Sequence, residues 1–117
     1  MNYSIFEPEM PRLNLSQEEL KQHVSAQLKL MNGDSFQYNG IIARTANFLN
    51  SQSIGFTAVS NTSYKSELNS MDKGRIREII WDFIILRYIT IGSYNGDEWP
   101  HLSFTELGKT YFSAGSF

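Results

Sequence analysis

The sequence predicts a mostly helical α+β fold in which a β-hairpin follows the longest helix, near the carboxyl end of the chain. Two N-terminal segments, residues 16–31 and 38–49, repeat apolar residues at helical spacing. A third helical segment, residues 72–88, leads directly into residues 89–105, where apolar and polar residues alternate as they do in half-buried strands. At 117 residues the chain is long enough to bury one core of its own.

The N-terminal part is predicted to consist of an arm followed by a helix. Residues 1–14 contain two of the chain's three prolines among scattered apolar residues, which favours an extended arm that crosses a surface or a partner. Residues 15–117 remain as a single domain. Ser16 and Glu19 have the spacing of a capping box, so a helix is expected to begin here and to end near Met31.

A second helix is predicted to begin near Tyr38 or Asn39, and the segment after it has two open interpretations. Residues 50–70 are rich in Ser, Asn and Thr. A short helix over residues 64–68 would pair with the next helix as a helix-turn-helix over residues 58–88. The same composition equally permits a mobile loop.

The third helix combines a cationic start with an apolar remainder. Asp72 is placed to cap it, and helical spacing continues to about Tyr88. Its apolar residues spread around most of the circumference, so other helices or a second subunit must cover them. Lys73, Arg75 and Arg77 lie near its amino terminus, where backbone donors and the helix dipole attract anions. The alternative is a solvated polar surface on a core helix.

The hairpin prediction rests on turn chemistry. Asn95 and Gly96 are a preferred pair for a two-residue turn with positive φ at both positions. Antiparallel strands are therefore expected near residues 89–93 and 101–105. Two residues of the return strand are predicted to face the core: Leu102 and Phe104.

A short helix is predicted to close the core after the hairpin. Thr105 is placed as its N-cap, with an acidic residue at the positive end of the helix dipole. Leu107, Tyr111 and Phe112 are expected to share one face, directed at the core.

One spacing in this region resembles a known architecture. Leu102-x-x-Thr105-x-x-Gly108 is similar to the L-x-x-T-x-x-G run that closes the wing in many bacterial winged-helix proteins, including the multiple-antibiotic-resistance type of transcriptional regulator. The resemblance covers roughly residues 71–113. It implies a winged helix-turn-helix with a C-terminal β-hairpin wing at about residues 89–105 and with extra N-terminal helices. It also implies that the third helix is a recognition helix, whose N-terminal part enters the major groove of DNA.

The resemblance assigns site residues on the third helix, before it and in the wing. The DNA-binding residues would be Lys65, Lys73, Arg75 and Arg77, and the wing would carry Asn95, Gly96, Asp97, Glu98 and Trp99. Asp97 and Glu98 are acidic where a phosphate-contacting wing would carry Lys or Arg, which argues against simple DNA binding. Trp99 either anchors the wing base by packing, the favoured interpretation, or is exposed as a partner contact.

The charge distribution is consistent with a basic centre in an acidic chain. The net charge is −2, which is not typical of a DNA-binding domain. Residues 41–80 nevertheless hold five cationic against three acidic side chains, whereas the flanking segments have an excess of acidic ones. A winged helix would present this central segment to DNA.

Composition excludes several other classes of protein. The chain has no cysteine, so it has no disulfide framework, and its two histidines have no metal-ligand spacing. We find no nucleophile elbow, phosphate loop or paired carboxylates, and therefore expect neither a catalytic site nor a cofactor. No apolar run reaches membrane-spanning length and no secretory signal is visible, which makes the cytoplasm the expected compartment.

The expected function is therefore that of a binding module. The leading prediction is binding of double-stranded DNA, as a small transcriptional regulator or as the DNA-facing part of a larger system, by a homodimer. The alternative is a winged helix that contacts another protein and binds no DNA. A switch that responds to a small molecule is a third interpretation, and it requires a pocket.

Overall fold

A computed structural model describes residues 12–55 and 67–117 of the chain. The predicted arm falls largely outside these residues, since only Arg12–Asn14 belong to them, and Lys65 falls outside them as well. The described elements, in chain order, are α1 (Gln17–Leu30), β1 (Phe36–Gln37), α2 (Tyr38–Ser51), α3 (Ser70–Ile85), β2 (Ile89–Ile91), β3 (His101–Phe104) and α4 (Glu106–Ala114).

The N-terminal helix begins where the sequence predicts. The Ser16 hydroxyl accepts a hydrogen bond from the Glu19 backbone N–H at 3.0 Å, and the Glu19 carboxylate accepts one from the Ser16 N–H at 2.8 Å. This capping box is confirmed, and it satisfies two of the N–H groups that a helix start leaves without partners. Helix α2 also begins at the predicted residue, Tyr38.

The long helix differs from the prediction at both ends. Its N-cap is Asn69, whose side-chain oxygen accepts a hydrogen bond from the Met71 N–H at 2.8 Å. Asp72 is therefore not the cap but lies within the first turn. The helix ends at Ile85 rather than near Tyr88, because Arg87 has a φ of 67° and turns the chain toward β2.

The three strands form one antiparallel sheet in the order β1-β3-β2. The predicted hairpin is confirmed as β2 paired with β3, with Ile89 opposite Phe104 and Ile91 opposite Leu102. Strand β1, which was not predicted, adds Phe36 opposite Leu102 on the other edge of β3. The sheet thus joins the chain before α2 to the hairpin that follows α3.

The predicted turn within the hairpin is wrong. Neither Asn95 nor Gly96 has a positive φ, whereas Gly92 has a φ of 106°. The Gly92 N–H donates to the His101 carbonyl at 2.6 Å, and Ser93 then pairs with Gly96 around a small turn of its own. Strands that end at Ile91 and resume at His101 leave nine residues between them, too many for a two-residue turn.

One hydrophobic cluster receives side chains from every element. Leu102 and Phe104 lie in it, as predicted. The prediction for α4 is wrong in part: Leu107 is 54% exposed, because Gly108 and Phe112, one turn apart, form the inward face. The largest fully buried side chains are Phe83, Phe112, Leu20, Leu28, Ile41, Leu49, Ile76, Ile79, Ile80, Ile89, Leu102 and Val24.

Candidate nucleic-acid interface

Helix α3 has an outer face that combines cationic and aromatic side chains. Its buried side faces the core through Ile76, Ile79, Ile80 and Phe83. Lys73, Arg77 and Trp81 follow each other at intervals of four residues and are all exposed. In a helix this spacing places side chains on one face, one turn above another. Their shared face is therefore accessible to a ligand.

Arg75, also predicted as a DNA-binding residue, does not belong to this face. Its Nη1 donates to the Asp72 carboxylate at 3.0 Å, and its Nη2 donates to the Leu15 carbonyl at 2.5 Å. Its Nε donates to the Gln17 side-chain oxygen at 3.0 Å. The side chain is only 17% exposed. These bonds direct the guanidinium toward the segment before α1, so Arg75 holds the fold together.

Asp72 is the buried partner that keeps Arg75 in this position. Its carboxylate is fully buried, and its second oxygen accepts a hydrogen bond from the Leu13 backbone N–H at 2.8 Å. A buried carboxylate needs such partners, since burying an unpaired charge is costly. Asp72 and Arg75 together fasten residues 13–17 to the first turns of α3. Two of the four charges at the start of this helix thus have a structural role.

Three aromatic rings form a column from the core to the outer face of α3. The Tyr38 ring lies 5.1 Å from the Trp99 ring, measured between centroids. The Trp99 ring is 5.9 Å from that of Trp81, and the two planes differ by 9°, an offset parallel arrangement. Tyr38 is buried, Trp99 is half-buried and Trp81 is 42% exposed. We refer to Tyr38, Trp99 and Trp81 as the aromatic column.

The buried end of the aromatic column is fixed to α3. The Tyr38 hydroxyl donates a hydrogen bond to the Lys73 carbonyl at 2.6 Å. Burial raises the pKa of Tyr38, while the positive charge of Arg77 opposes this shift. Trp99 packs against the core and against Tyr38, in agreement with the packing interpretation of this residue.

The loop of the hairpin carries acidic side chains just before Trp99 in the chain. Asn95, Asp97 and Glu98 are exposed, and Gly96 is half-buried beneath the ring of His101. Two exposed carboxylates thus directly precede a member of the aromatic column in sequence. Tyr94, at the tip of the loop, is 92% exposed and was not among the predicted site residues.

The structure thus brings together some predicted site residues and separates others. Lys73, Arg77 and Trp99 meet on one surface, whereas Arg75 is turned away from it. Tyr38 and Trp81 were missed as members of the surface. The interval of four residues between Lys73, Arg77 and Trp81 was a readable signal for Trp81.

Other kinds of site find no support in the described residues. Across residues 12–55 and 67–117, no three His, Asp or Glu side chains gather as a metal site would require. Within the same ranges, no helix is both long and apolar enough to cross a membrane.

Comparisons with known proteins give no relative from which a function can be transferred. No family model, no curated protein and no solved structure matched the chain. A functional inference must therefore rest on the residues of the chain itself.

Proposed function

We propose that the chain is a winged-helix domain that binds double-stranded DNA through the outer face of α3. The arrangement of elements supports the proposal: a long helix is followed directly by a hairpin, and β1 completes a sheet with that hairpin. In winged helices the helix before the wing is the one that enters the major groove. Helix α3 occupies that place in the chain.

The observation that carries the proposal is the exposure of two cations. Lys73 and Arg77 are exposed on α3, next to the aromatic column that attaches the hairpin loop to the helix. Flexible cations on an accessible helix face are the groups that contact phosphates, and phosphate contacts dominate DNA affinity. Because Arg75 is turned inward, the first turns of α3 present two cations to DNA in place of the three predicted.

The test is affinity for a generic DNA duplex at low salt, measured by fluorescence anisotropy. The double variant Lys73→Ala, Arg77→Ala is expected to bind about ten-fold more weakly for each of the two side chains that contacts a phosphate. The matched control is Lys29→Ala, Lys109→Ala, which removes the same charge from α1 and α4 and should bind as the wild type does. Equal weakening in both double variants would contradict a role for the α3 face.

Substitutions in the acidic loop should change the affinity for duplex DNA in the opposite direction. Asp97 and Glu98 are exposed and directly precede Trp99, which stacks on Trp81 of α3, and their carboxylates would repel phosphates bound there. The double variant Asp97→Asn, Glu98→Gln should therefore bind duplex DNA more tightly than the wild type in the same assay. Weaker binding would contradict the expected repulsion between the loop carboxylates and the phosphates of bound DNA.

A second candidate function is protein binding, and exposed apolar residues on α3 favour it. Met71 is 58% exposed, Ile85 73% and Leu86 48%. Exposed apolar patches mark interaction surfaces, including those between copies of one chain. The predicted homodimer would use the carboxyl-terminal end of this helix, where Ile85 and Leu86 lie, or the N-terminal helix and arm. Sedimentation of the wild type and of Ile85→Ser tests it: a dimer that Ile85→Ser dissociates supports self-association, and a monomer in both cases contradicts it.

A further inference from the structure

The outer end of the aromatic column is open. Trp81 presents one face of its indole to Trp99 and remains 42% exposed. The ring at the other end, Tyr38, is buried and bonded to the Lys73 carbonyl. The column thus begins in the core and ends in a flat, accessible ring. A planar ligand can extend it by one more ring.

We propose that Trp81 stacks on an unpaired base of a single-stranded nucleic acid whose phosphates lie along Lys73 and Arg77. Bases stack on aromatic side chains next to a cationic groove in proteins that bind single strands, and every base has a π-face suited to this contact. The proposal goes beyond the proposed function and uses the same two cations of α3.

The contacts within the aromatic column favour a role for Trp81 in stacking on a ligand over a role in packing alone. The Trp99 ring lies between Tyr38 and Trp81, with centroid distances of 5.1 and 5.9 Å, so the indole of Trp81 is held against a packed ring. A surface that is already ordered gives up little conformational entropy when a ligand binds to it. An exposed indole with cations at its side offers both of the contacts that a nucleotide needs.

The charges around Trp81 define the path of the strand. Lys73 and Arg77 precede Trp81 by two turns and one turn of α3 on the same face. Glu78 follows Arg77 and Asp82 follows Trp81 in the chain. Both are exposed, and both lie about 100° or more around the helix from Arg77. The phosphates are therefore expected on the side of Lys73 and Arg77, away from the two carboxylates.

The experiment compares two single strands of equal length and charge, oligothymidylate and an abasic strand. Wild-type protein should bind oligothymidylate more tightly, by roughly five-fold to 150-fold for one stacked base. Trp81→Leu, which keeps apolar volume without a π-face, should abolish this preference and retain the affinity for the abasic strand. Trp81→Phe should retain part of the preference. Leu107→Ala, which removes an exposed apolar residue from α4, is the control and should behave as the wild type does.

Equal binding of the two strands by the wild type, or an unchanged preference in Trp81→Leu, would overturn the stacking proposal. A duplex of the same sequence, measured in parallel, separates this failure from that of the proposed function. Duplex binding without a preference between the single strands contradicts only the stacking of Trp81. A base-dependent preference without duplex binding contradicts only the duplex function. No binding of any nucleic acid overturns both.

Discussion

At Gly108 the backbone of α4 approaches Tyr88, in the turn between α3 and β2, so closely that no side chain fits between them. A β-carbon built on Gly108 would overlap the Tyr88 carbonyl oxygen. The same oxygen accepts a hydrogen bond from the Thr105 N–H at 3.1 Å, and the Thr105 hydroxyl caps α4 by accepting from the Gly108 N–H at 2.9 Å. Leu102 is fully buried. Each member of the Leu102-x-x-Thr105-x-x-Gly108 spacing thus has a packing reason, independent of any ligand.

Gly108→Ala should destabilise the protein by about 3 kcal/mol, because the methyl group would collide with backbone rather than with a movable side chain. Gly40→Ala is the matched helical control, since its β-carbon would meet nothing within 4 Å. It should stabilise the protein by about 0.5 to 1 kcal/mol. Urea denaturation measures both free energies, and similar values for the two variants would contradict the close approach.

Substitution of the two arginines of α3 should have different effects on the free energy of unfolding, because one arginine is bonded within the fold and the other is exposed. Arg75→Ala leaves Asp72 buried without its ionic partner, which should lower the free energy of unfolding by about 3 kcal/mol. Arg77→Ala alters an exposed side chain and should change it by less than about 0.5 kcal/mol. Urea denaturation again provides the measurement. Equal effects would mean that Arg75 is solvated like Arg77.

At the scale of elements, two of the helix starts that the sequence predicts, those of α1 and α4, are closed by local contacts. Ser16 with Glu19 and Thr105 with Gly108 are three residues apart, so each cap is complete within the sequence that shows it. The hairpin strands were predicted from alternation and from an Asn95-Gly96 turn; the strands are confirmed although that turn is not. The start of α3 was predicted wrongly. Asp72 is of a residue type that often caps helices, but its carboxylate instead accepts a hydrogen bond from the Leu13 N–H, 59 positions away.

The residues of the candidate site were predictable only where their positions follow from spacing within one helix. The exposed cations Lys73 and Arg77 follow from helical spacing, whereas the inward turn of Arg75 depends on Leu15, 60 positions away. The aromatic column joins the start of α2, the outer face of α3 and the hairpin loop, so no single segment of sequence contains it. Long-range contacts of this kind are not visible in periodicity.

The capping box of α1 should make stability depend on pH. The hydrogen bond from the Ser16 backbone lowers the pKa of Glu19 below its ordinary value of 4.5. A lowered pKa in the folded state means that this contribution is present above the pKa of the unfolded chain and disappears as pH falls through the folded value. Melting temperatures of wild type and Glu19→Gln should therefore converge as pH falls below about 4. A difference that does not vary with pH would contradict the ionic contact.

At the scale of the whole molecule, function depends on where the exposed cations lie. The net charge is −2, so the chain as a whole repels DNA, and only a local cationic surface can overcome this. The fold keeps Lys73 and Arg77 exposed on α3 while it uses Arg75 internally. DNA affinity is thus expected to be modest and strongly dependent on salt.

The salt dependence of duplex binding tests the proposed DNA surface most directly. The logarithm of the binding constant should fall linearly with the logarithm of salt concentration, with a slope of about 0.9 for each phosphate contacted. The double variant Lys73→Ala, Arg77→Ala should reduce that slope by about 1.8, since it removes two phosphate contacts. An unchanged slope, or a wild-type protein without measurable affinity for duplex DNA at low salt, would contradict DNA binding by the outer face of α3.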